Sequence, residues 1–151
     1  MILRKRRISM LLPHGTVFAL VDGEKFELYH NAGTEAHPKL EPVPVPAVES
    51  TNHSAGVRDH DKVSRFGFGA PKDKLDKMEE RSHAIAVAEW LNQEVLQHRI
   101  KSLVIMADPR SLGEMRRRYH KELEKVLLCD VDATMAGATP EAIVEKVRAA
   151  H

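Results

Sequence analysis

The sequence predicts an α/β fold, three layers around a mixed β-sheet, in the order β-β-β-(long loop)-α-β-α-β-α. Three observations carry that expectation. The first third alternates like strands around a hairpin turn. Leu103-Val104-Ile105-Met106-Ala107 is a continuous apolar run, the mark of a central strand covered on both faces. That run lies between two stretches of helical periodicity, which makes it part of a parallel crossover rather than a meander.

The elements follow in order. Residues 1–7 form a basic tail, with Arg4, Lys5, Arg6 and Arg7. The apolar run from Ile8 to Leu12 stops at Pro13-His14, too short for the core of a signal peptide, so it is read as a first strand. Thr16 to Val21 is the second. Asp22-Gly23 is a two-residue hairpin signal because glycine tolerates positive φ, and Phe26 and Leu28 alternate with Glu27 and Tyr29 beyond it. Residues 31–70 lack periodicity and are read as a long, partly flexible connection. Within it Pro42, Pro44 and Pro46 alternate with Val43 and Val45. Proline donates nothing to a ladder, so this piece is an edge segment or an extended linker.

From about Asp73 to His98, Leu75, Met78, Ser82, Ile85, Ala88 or Val87, Leu91 and Val95 recur at helical spacing. After the central strand, Ser111-Leu112-Gly113-Glu114 has the spacing of a capping box, with Ser111 as the expected N-cap. Leu112, Met115, Tyr119, Leu123 and Val126 give one helix an apolar stripe. Leu127 to Val131 is a further strand. Thr139-Pro140-Glu141 opens a last helix, threonine as cap and proline in the first turn, burying Ile143, Val144 and Val147.

The chain has 151 residues, the length of one domain, and is read as a single domain over 1–151. Lys plus Arg is 23 and Asp plus Glu is 22, which argues against binding nucleic acid or membrane by bulk charge and leaves only a local patch for such a role. One cysteine, Cys129, excludes an internal disulfide and any cysteine-rich zinc site; inside an apolar strand it is expected to be a buried, inert thiol. No stretch approaches a membrane span, and with no export signal read at the N-terminus the expected location is the cytoplasm.

Three stretches in this layout resemble a known family, the weakest being the ending, Asp130 to Thr134 and then Thr139-Pro140-Glu141, which is similar to its "K-D-L-T…P-x-E-(I/L)". His83-Ala84-Ile85-Ala86-Val87-Ala88-Glu89-Trp90-Leu91 resembles the "H-x-F-A-x-x-(I/L)-A-x-x-L" helix of the bacterial host attachment family. Leu103 to Ala107, continuing through Asp108-Pro109-Arg110-Ser111-Leu112-Gly113-Glu114-Met115-Arg116, is similar to its strand followed by "A-P-P-R-x-L-G-x-L-R". On this likeness His83, Pro109, Leu112 and Gly113 are family-motif residues. Asp108 departs from the usual proline, Ile85 from the usual phenylalanine, and Met135-Ala136-Gly137 lengthens the turn before the last helix. The family is in turn similar in fold to the middle domain of archaeal and eukaryotic class 1 peptide-chain release factors, which implies a ribonuclease-H-like topology. In those factors a Gly-Gly-Gln loop promotes peptidyl-tRNA hydrolysis. Here Ser50 to Arg58 stands at the matching place and has no such tripeptide, so the hydrolytic role does not carry over.

The candidate chemistry is sparse. The Arg110-Ser111-Leu112-Gly113 junction opens a helix after a buried strand, and its backbone N–H groups with Arg110 and Arg116 would suit an anion. Gly113 also fits a packing role. Arg58, Lys62 and Arg65 in the long connection, and Arg116, Arg117, Arg118 and Lys121 beyond the junction, are candidate nucleic-acid contacts, although Glu114, Glu122 and Glu124 stand at pairing distance along a helix. No catalytic residue, metal site or cofactor is assigned. The resulting expectation is a non-catalytic cytoplasmic protein that acts indirectly in attachment to host cells by binding a protein, RNA or the ribosome, without entering a membrane. The alternative is a divergent metal-dependent hydrolase or nuclease acting on RNA or a phosphate ester, with Asp108, His53 and His60 as its only chemistry.

Overall fold

A computed structural model describes residues 12–23, 25–45 and 72–150. Among the described residues nine elements follow in chain order: β1 (Val17–Asp22), β2 (Lys25–Asn31), β3 (Leu40–Val43), α1 (Lys72–Leu96), β4 (Leu103–Ala107), α2 (Pro109–Arg116), α3 (Lys121–Val126), β5 (Leu127–Asp132) and α4 (Pro140–Ala149). The sheet order is β3-β2-β1-β4-β5. β1–β2 and β2–β3 are antiparallel, and β1–β4 and β4–β5 are parallel, so the sheet is mixed as expected.

The turn after β1 closes where the sequence places it. Asp22 pairs with Lys25, and Gly23 takes φ +62°, a conformation in which any Cβ is strained. Leu12 is buried outside any strand, and Ile8 to Leu11 lie outside the described residues. A further strand comes from the 31–70 connection: β3 pairs with β2, and Pro42 sits in it as the edge segment its prolines predict, where a missing N–H is tolerated.

Alternation then divides the core. Phe18 and Leu20 of β1, Val104 and Met106 of β4, and Cys129 and Val131 of β5 meet Ile143 and Val147 of α4. Ala19, Val21, Leu103, Ile105 and Ala107 point the other way, onto Ala84, Val87, Ala88 and Leu91 of α1, Leu112 and Met115 of α2, and Leu123 of α3. Helices therefore cover both faces, giving three layers. β4, buried along its whole length, is the doubly covered strand its unbroken apolar run predicts.

The structure corrects two local expectations. The stripe from Leu112 to Val126 is not one helix. It breaks between Arg116 and Lys121 because the Asn92 side chain of α1 takes over the local backbone: its Nδ2 donates to the Arg118 carbonyl (2.8 Å) and its Oδ1 accepts from the His120 N–H (2.9 Å). His120 then caps α3 by accepting from the Glu122 N–H. The cap of α2 is Asp108, not Ser111. Pro109 fits the first helical position, where its missing N–H costs nothing, and that sets Asp108 as the residue before it and carries Ser111 into the first turn. The last helix begins as read, with Thr139 Oγ1 accepting from the Ala142 N–H; Ile143 and Val147 are buried and Val144 is half-buried.

Candidate functional site

The parallel half of the sheet delivers its strand ends to one edge. There β4 hands the chain to α2 through Asp108. One carboxylate oxygen of Asp108 accepts from the Ser111 N–H (3.1 Å), and the other accepts from the Gly23 N–H in the β1–β2 turn (3.2 Å). Burial pushes the Asp108 carboxyl up, but the hydrogen bonds from Ser111 and Gly23 outweigh it and hold the group below the usual carboxylate range. The first turn of α2 thus faces a fixed anion supplied by the chain itself. Ser111 is buried beneath it. Among the described residues no group of three or more His, Cys, Asp and Glu side chains could hold a metal ion.

One turn further on, Glu114 collects cations. Its side chain is only 12% exposed, yet Arg81 of α1 donates to it at 3.1 Å, and Arg117 and Arg118 stand at 3.8 and 3.9 Å. Arg110 reaches Glu80 of α1 at 3.6 Å. Among the described residues, the four guanidiniums of Arg81, Arg110, Arg117 and Arg118 on this seam meet Glu114 and Glu80. The carboxylate at the centre is sheltered while Arg117 remains 74% exposed, so the surplus positive charge lies outward.

Arg116 belongs to a different cluster. It holds Asp130 of β5 through two hydrogen bonds of 3.0 and 2.9 Å, and the Tyr119 hydroxyl donates to the same carboxylate at 3.1 Å. The Arg116 bridge and the Tyr119 bond keep the Asp130 carboxyl below its usual range against the pull of burial, while burial pushes the Tyr119 phenol up. This bidentate pair ties α2 to the edge strand.

The remaining sequence candidates separate from the seam. Gly113 is exposed on α2, and a Cβ built there meets nothing within 4 Å among the described residues, so none of these residues packs against it. Leu112 is core. Pro109 is the first residue of α2. His83 is buried on α1 at 7% exposure. Cys129 is buried, and burial raises its thiol to about 11, well away from a nucleophile at neutral pH. Arg58, Arg65, His53 and His60 lie outside the described residues. The sequence reading missed Arg81, Glu80 and Asn92. All three are on α1, and nothing local signals that they meet α2 and its following turn.

No curated protein matches the sequence. A family model does, over residues 15–147, which takes in every element from β1 into the last turn of α4 and leaves out only the chain ends. The layered mixed sheet with interleaved helices is the release-factor middle-domain, ribonuclease-H-like topology. This protein belongs to bacterial archaeo-eukaryotic release factor family 12.

Proposed function

We propose that the protein is a release-factor paralogue that binds RNA at or near the ribosome without cleaving peptidyl-tRNA, and that any effect on attachment to host cells follows indirectly from that binding in the cytoplasm. The observation that carries the reading is the family kinship of a chain whose sequence contains no two consecutive glycines, hence no Gly-Gly-Gln. The arginine seam between α1 and α2 supports it by supplying a local cationic surface on a chain of formal net charge +1. Among the described residues no helix is long and apolar enough to cross a membrane.

Co-sedimentation with ribosomes and with total RNA, at low and at moderate salt, tests this. The expected result is association that weakens with salt and is lost in the triple variant Arg110→Ala, Arg117→Ala, Arg118→Ala. Absence of association at both salts would overturn the RNA reading and leave a protein partner to be sought by pull-down from the native cell.

A further inference from the structure

Two features of α2 work against its own stability. Arg110 stands in the first turn, where the positive end of the helix dipole disfavours a cation, and the acid at that end is the N-cap Asp108 rather than a residue of the turn itself. Gly113 occupies the helix interior, where glycine is the poorest former after proline. Neither a left-handed backbone nor close packing among the described residues explains the glycine, because its φ is ordinary and none of the described residues stands within 4 Å of a Cβ built there. Local conflicts of this kind concentrate where a surface serves something other than the fold.

The helix geometry shows what that surface is. Leu112 and Met115 point into the core, and Gly113 falls close to the opposite side, on the crown of α2. At a spacing of three or four residues, Arg110 and Arg117 flank it on the same face. Both guanidiniums are largely exposed, at 56% and 74%, and each approaches its carboxylate at 3.6–3.8 Å, longer than a close ion pair. They are therefore free to turn toward an incoming anion. Arg118 and Arg81 continue the cationic strip toward α1.

We infer that Gly113 is the close-approach point of an RNA-docking surface: a phosphodiester backbone crosses α2 over the glycine, where no side chain of the described residues holds it off, and is gripped by Arg110 and Arg117 on either side. The charge surplus of the strip selects a polyanion, and the missing Cβ sets how near it comes. The inference rests on the RNA-binding reading above and adds the place and the geometry of docking.

The test is fluorescence anisotropy with a short labelled single-stranded RNA of mixed sequence, run across a salt series. The variants are Gly113→Ala, Gly113→Leu and the double Arg110→Ala, Arg117→Ala, with thermal unfolding of each. Both glycine variants should fold, and Gly113→Ala should raise Tm by about 1–4 °C because alanine favours the helix. The same variant should weaken RNA binding by at least about threefold and Gly113→Leu by about tenfold or more, with the salt slope unchanged because no charge is altered. The arginine variant should lower both affinity and slope, the slope by about 0.7 for each phosphate it no longer neutralises. Glycine variants that bind like wild type, while the arginine variant weakens, would overturn the close-approach assignment and leave RNA binding intact. A wild-type protein that binds no RNA would overturn both. Ribosome association that persists with the arginine variant would place the docking surface elsewhere and overturn this one.

Discussion

The two short helices that follow strands, α2 and α4, begin by the same rule and then diverge. Each has a polar N-cap with extended backbone, Asp108 at φ −65°, ψ 157° and Thr139 at φ −75°, ψ 156°, and each places proline directly after it. Each buries an aliphatic pair or its equivalent, Leu112 and Met115 in one, Ile143 and Val147 in the other. Beyond that α4 keeps every preference of a stable helix: Glu141 in its first turn, Lys146 and Arg148 in its last, and no glycine. α2 has an arginine in place of the acid and a glycine on its crown. The difference teaches that burial fixes where both helices lie, whereas only in α2 is the outer face composed against helix stability. A surface under no demand but solubility would read like that of α4.

The comparison predicts a graded set of effects. The largest come from the shared part. Met115→Ala and Ile143→Ala should each destabilise by about 2–5 kcal/mol in denaturant unfolding, since both side chains are fully buried. A loss below about 1 kcal/mol for Met115 alone would mean that α2 is not docked as described.

The caps come next and should separate the helices. Thr139→Ala should cost about 0.5–1 kcal/mol. Asp108→Ala should cost more, near the upper end of about 2 kcal/mol, because its carboxylate accepts from two backbone N–H groups in different parts of the chain. Equal losses would show that the bond to Gly23 contributes nothing. The two caps should also differ in pH dependence. The Asp108 carboxyl is held below its unfolded pKa of about 3.9, so its contribution is present above that value and is lost as pH falls through the folded pKa. In acid titrations the stability gap between wild type and Asp108→Asn should therefore close as pH drops, while the gap for Thr139→Ala stays constant. The smallest effects lie on the crowns. Gly113→Ala should stabilise by about 0.5–1 kcal/mol, and Ala142→Gly in α4 should destabilise by a similar amount. Loss of stability in Gly113→Ala would mean that the space above the glycine is filled.

Much of this was legible in the sequence, and the limits are physical. Asp22-Gly23, the apolar run of β4 and the Thr139-Pro140 start are local signals, and each fell where its chemistry placed it, whereas the spacing along α1 located the helix but not its whole buried face, since Met78 is exposed and Ala84, Val87, Ala88, Leu91 and Val95 are the residues that pack. The break between α2 and α3 was hidden because Leu112, Met115, Tyr119, Leu123 and Val126 keep helical spacing straight through it. What breaks the helix is Asn92, far away in sequence. Two cap patterns also overlapped at 108–114, and Pro109 decided between them by the one position it suits. At the candidate site the arginines were visible and their organiser was not. Glu114 gathers Arg81 from another helix, a pairing no linear spacing encodes.

The parallel pairing of β1 with β4 has a consequence for the timing of synthesis. β1 finds its antiparallel partner β2 at once, across a two-residue turn, but its other edge waits for Leu103–Ala107. At about 5–20 residues per second, translation takes on the order of ten seconds to deliver that strand. Throughout that interval the nascent hairpin presents Phe18, Ala19, Leu20 and Val21, all destined for full burial, with one row of backbone groups unpaired. The seam between β1 and β4 thus closes only after the hairpin and the whole of α1 have been made, and β5 and α4 are added to it afterwards.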